Sequence, residues 1–105
     1  MSERMNKLKN FLEKSPDDSF LKHALALEYL KTGDEITARS LFEQILQTDP
    51  GYTGTYYHLG KLLEKQGEQT AAISWYEKGL TASKAAGEQH TYNELKAALD
   101  ELADF

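Results

Sequence analysis

Ala24-Leu25-Ala26-Leu27-Glu28-Tyr29-Leu30-Lys31-Thr32-Gly33-Asp34 returns 34 residues later as His58-Leu59-Gly60-Lys61-Leu62-Leu63-Glu64-Lys65-Gln66-Gly67-Glu68. Leu25 falls on Leu59, Ala26 on Gly60, Lys31 on Lys65 and Gly33 on Gly67. The register continues through Ala38 on Ala72, Phe42 on Tyr76, Glu43 on Glu77 and Leu46 on Leu80, and Pro50 follows Pro16 by the same 34 residues. A period of this length is the mark of helix pairs stacked on their neighbours, each pair too small to bury its own apolar face.

Within each copy the apolar residues recur at helical spacing, and the breaks fall at glycine or proline. The pattern predicts six helices. The first covers residues 3–13, with Met5, Leu8, Phe11 and Leu12 on one face, and by the 34-residue register it matches the second helix of a preceding, incomplete repeat. Ser15-Pro16-Asp17-Asp18 interrupts it, since proline disfavours helix at Ser15 and the aspartates can accept from free N–H groups at the next helix start. Paired helices are expected over 18–31 and 34–47, then over 53–66 and 68–86, with Gly33 and Gly67 at the turns and Asp34 as a cap. The last helix is expected to start at Thr91-Tyr92-Asn93-Glu94, which has the form of a capping box, and it carries Leu95, Ala98, Leu99 and Leu102 as one stripe.

These residues resemble the tetratricopeptide (TPR) repeat family: a small residue in mid first helix, an aromatic three residues on, glycine at the turn, then alanine and an aromatic in the second helix. The resemblance covers about two thirds of the chain. It implies an all-α fold, an α-solenoid of antiparallel helix pairs in a TPR-like superhelix of about six helices. One domain, residues 1–105, is expected, with a flanking helix in 1–15, repeats in 19–52 and 53–86, and a capping helix in 87–105. Lys22, Leu63 and Lys84 depart from the family pattern. The last of these takes the place of the usual proline, so the final helix of the second repeat is expected to run on towards Gly87.

The small residues Ala26, Gly60, Ala38 and Ala72 read as points where paired helices come close, and Tyr29, Phe42, Trp75 and Tyr76 beside them read as core aromatics. Apolar residues at 40% and charge at 28% are ordinary for a folded domain and argue against disorder. No apolar run approaches the ~20 residues of a membrane span, and the N-terminus lacks the apolar stretch of a secretory signal. A cytoplasmic protein without membrane contact is expected. The absence of cysteine excludes disulfides, thiolate metal sites and a cysteine nucleophile. Twelve Lys and Arg diluted by seventeen acids, net charge −5, do not make the continuous basic face that nucleic acid requires.

No phosphate loop, His-x-x-x-His pair or Ser–His signature is present, so the reading is of a protein that is not an enzyme and needs no cofactor or metal. His23, His58 and His90 occupy different positions in the repeat and are not expected to converge on one ion. Function is therefore expected on the surface. The TPR resemblance implies that the first helix of each pair lines a concave groove for an extended peptide or partner helix. The groove positions are then Phe20, His23, Leu27 and Leu30 in the first repeat, Tyr57, His58, Lys61 and Lys65 in the second, and Tyr92 in the last helix. Leu27 and Leu30 are groove or core, and Lys61 and Lys65 are candidates to hold a partner's carboxylate. The chaperone-tail clamp of some family members does not carry over, since His23, Leu27 and His58 stand where it uses Lys and Asn. The alternative is self-association: a homodimer through the groove or the open helix ends. It has some electrostatic bias from a basic first helix and an acidic C-terminal segment.

Overall fold

The computed structural model describes residues 2–103, so Asp104 and Phe105 of the expected last helix lie outside the described residues. Six helices follow one another: α1 Glu3–Lys14, α2 Ser19–Lys31, α3 Glu35–Thr48, α4 Gly54–Lys65, α5 Gln69–Ala86 and α6 Gln89–Ala103. No strand occurs among the described residues. The chain divides into two compact units, Met1–Asp49 and Pro50–Phe105.

In the first unit, capping side chains define the helix starts. The Ser2 hydroxyl accepts from the Met5 N–H at 3.0 Å and the Asp18 carboxylate from the Leu21 N–H at 3.0 Å. Asp34 accepts from the Thr37 N–H at 3.1 Å and from its hydroxyl at 2.8 Å, the role read for it in the sequence. Hydrogen bonding draws the Asp34 carboxyl below its ordinary pKa. Helix α2 ends by passing the Asp34 N–H back to the Tyr29 carbonyl and the Gly33 N–H to that of Leu30, which requires Gly33 at φ 86°. The same closure, with Glu68 on Leu63 and Gly67 on Glu64, ends α4. Met5 and Leu8 of α1 pack on Ala24 and Leu25 of α2, with Leu12, Leu21, Tyr29 and Leu41 around them. Ala26 and Ala38 are fully buried, as are Phe42 and Ile45.

The second unit repeats this pairing. A Cβ added to Gly60 in α4 would fall under 3.0 Å from three ring carbons of Tyr76 in α5, so the glycine is required by the closeness of the neighbouring ring. Tyr76 and Ala72 are fully buried beside it. Gly79 of α5 is equally closed in, by Tyr56 of α4 and Leu95 of α6. The Tyr56 hydroxyl donates to the Pro50 carbonyl at 2.6 Å. Helix α5 runs 18 residues against 14 for α3, as the missing proline implies, and stops only at Gly87.

Helix α6 starts earlier than Thr91 suggests. The Glu88 N–H closes on the Ser83 carbonyl and the Glu88 carbonyl already accepts from the Tyr92 N–H, so Thr91 lies inside the first turn. The tight turn at Gly87 hands the chain straight into helix, leaving no extended residue at Thr91 for the capping box to use. The Glu88 carboxylate is held by the Thr53 hydroxyl at the start of α4.

Gly60→Ala will destabilise the protein by about 1–3 kcal/mol, because the methyl group can be accommodated only by moving the Tyr76 ring or the helix axes apart. Denaturant unfolding followed by circular dichroism measures it, and an unchanged midpoint would show that the seam yields freely.

Candidate partner-binding surfaces

The expected first-unit positions, Phe20, His23, Leu27 and Leu30, follow one another at spacings of three and four and so share a stripe of α2. Phe20 is 65% exposed at its N-terminal end. His23 is half-buried, its ring 5.4 Å from that of Phe42, so it leans on the core aromatic rather than reaching outward. Leu27 and Leu30 are also half-buried, each presenting part of its side chain to solvent while the rest packs. Behind the stripe, the Ser19 hydroxyl donates to the Asp49 carboxylate at 2.7 Å and ties the start of α2 to the end of α3.

In the second unit, Tyr57, His58 and Lys61 gather on α4. The Tyr57 and His58 rings meet edge to face at 5.9 Å, and the Lys61 ammonium sits 5.7 Å from the centre of the Tyr57 ring. Lys61 also has carboxylates of its own chain nearby. It lies 3.6 Å from Glu64 and 3.8 Å from Glu101 of α6, and Glu64 in turn accepts the hydroxyl proton of buried Tyr76. Burial, followed by the bond to Glu64, raises the Tyr76 phenol far above its ordinary range. The lysine is the middle of a chain that joins α4, α5 and α6. Lys65, one turn on, is exposed.

Burial lowers the His58 pKa, with Glu94 of α6 opposing the shift more weakly. Tyr92 is half-buried at a hollow of about 280 Å³ where α5 turns into α6, with Ser83, Lys84, Gly87, Glu88 and Gln89. None of Tyr57, His58 or Lys61 lines that hollow. The carboxylates of Glu64, Glu94 and Glu101 were not among the expected groove residues. Only Glu64 was legible beforehand, from its i,i+3 spacing to Lys61.

Among the described residues no group of three His, Cys, Asp or Glu could hold a metal ion, and no helix is long and apolar enough to cross a membrane.

Comparison with known proteins places these features in a common frame. The tetratricopeptide repeat model matches residues 53–85. A crystal structure of a tetratricopeptide repeat domain protein from Salinibacter ruber is 41% identical, with a TM-score of 0.79 over 82% of this chain and 96% of that one. The solution structure of a Bordetella parapertussis protein is 29% identical, with a TM-score of 0.81 over 98% of this chain and 90% of that one. A TPR repeat-containing protein of Pseudomonas aeruginosa is 27% identical over 90% of both chains.

The sign of the His58 shift fixes a pH dependence. With its folded pKa below the unfolded one, the unfolded chain binds the proton more readily, so stability is full above the ordinary histidine pKa of about 6.5 and declines as pH falls below it. His58→Gln will flatten that part of the profile in thermal melts. An unchanged slope would assign it to other groups.

Proposed function

Because the chain belongs to the tetratricopeptide repeat family, whose fold suggests a protein–protein interaction module, we propose that it binds a peptide or a partner helix on the exposed faces of its first helices. The observation that carries this reading is the α4 platform, where Tyr57, His58 and Lys61 are half-exposed and held in fixed relation by ring contacts and two carboxylates. Side chains fixed in this way lose little further freedom on binding, which favours affinity.

The α2 stripe supports the same reading. Phe20, Leu27 and Leu30 offer apolar surface beside the half-buried His23. The occupant that suits both faces is an apolar or aromatic-bearing segment, bound chiefly by burial of its side chains. Lys61, already engaged by Glu64 and Glu101, would add orientation through its surface over Tyr57 more than it would add charge.

The reading places a non-catalytic binding role in the cytoplasm. It is tested by selecting peptides from a displayed random library on the wild-type chain, then measuring the selected peptides against Leu27→Glu and Tyr57→Ala by fluorescence anisotropy. Circular dichroism must first show that both variants fold. The expected result is a loss of at least tenfold in affinity for one or both variants, and peptides that bind all three proteins equally would refute the assigned faces.

A further inference from the structure

The α4 face proposed above as a binding surface carries a lysine whose surroundings are filled from within the chain. An ammonium group has three N–H donors, and three groups stand around that of Lys61. Glu64 of the same helix lies 3.6 Å away, Glu101 of α6 lies 3.8 Å away, and the centre of the Tyr57 ring lies at 5.7 Å. A carboxylate brought to Lys61 by a partner meets two others already there.

The three neighbours differ in how firmly they are held. The Glu64 side chain is 24% exposed, and its carboxylate also accepts from the hydroxyl of Tyr76, whose fully buried ring lies against Gly60. Moving Glu64 would break that bond. Tyr57 is half-buried, its ring edge to face with that of His58. The Glu101 side chain is 75% exposed, and a long ion pair made by an exposed group holds it weakly. Of the three neighbours, Glu101 is the one an incoming anion can push aside.

We infer that Glu101 sets the charge of the partner segment that the α4 face accepts, by standing beside Lys61 where a partner's carboxylate would go. An acidic segment must either displace Glu101 or lie against a like charge, and both weaken binding; a neutral or cationic segment does neither. The inference rests on the reading of the α4 face as a binding surface, and it narrows the partner to an apolar or aromatic segment without Asp or Glu over Lys61. The other charges of α6 agree with it. Glu94 acts on His58, and Lys96, the lysine of this helix, is taken up by Asp100 at 2.8 Å.

Glu101→Gln removes the charge with little change in shape, and Glu101→Ala serves beside it because glutamine can still accept from Lys61. Glu77→Gln removes an equal charge at an exposed site of α5. Once circular dichroism shows that each folds, peptides are selected from one displayed random library on the wild type and the variants. A wild-type binder that Tyr57→Ala weakens is then scanned with Glu at every position by fluorescence anisotropy.

Acidic residues are expected to be enriched among peptides selected on the two Glu101 variants alone. The scan is expected to show one position at which a Glu-bearing peptide binds those variants at least about fivefold more tightly than it binds the wild type. In Lys61→Met/Glu101→Gln that gain is expected to vanish. Equal tolerance of Glu by the wild type and the Glu101 variants overturns the inference, as does the same gain in Glu77→Gln. A gain that survives without Lys61 places the carboxylate elsewhere, on Lys65 for example, and overturns it too. These outcomes leave the binding face standing, whereas a library with no binder that Tyr57→Ala weakens overturns the face and the inference together.

Discussion

The close approach of paired helices at a Gly or Ala seam is the constraint on which the rest of this structure depends. With Gly60 at the seam, the Tyr76 ring lies against the α4 backbone and its hydroxyl arrives at Glu64. Glu64 then fixes Lys61, and Lys61 reaches Glu101 of α6. A packing requirement in the interior thereby decides which charges stand beside Tyr57 on the surface. Dry packing of this kind contributes little per atom pair but is lost quickly as surfaces separate, which is why one methyl group matters at the seam.

That propagation changes how the α4 surface should be understood. A lysine on a first helix reads in isolation as a point charge awaiting an anion. In the fold Lys61 stands near two carboxylates and over an aromatic ring, so its charge is met within the chain. Under the function proposed above, recognition at this surface would rest on shape and apolar burial more than on charge. The α2 stripe, with exposed Phe20 and half-buried Leu27 and Leu30, has the same character.

The terminal helices show that one position in the repeat can have two fates. Phe11 and Ile45 stand 34 residues apart, and one is 57% exposed while the other is fully buried.

Much of the fold was legible in the residues themselves. The 34-residue period, the cap at Asp34, the turns at Gly33 and Gly67, the overrun of α5 and the small residues at the seam all follow from local rules that act within a few turns of helix. The tertiary structure decided what depends on residues distant in sequence. It joined Lys61 to Glu101, turned His23 onto Phe42, half-buried His58 so that its pKa is lowered, and began α6 at Gln89 rather than at Thr91. The division has a physical reason. Helix formation, capping and turns depend on backbone geometry and near neighbours, which the order of residues specifies directly. The partners of a surface charge and the burial of a ring depend on which helix the fold places opposite, and that is set only when the helices pack.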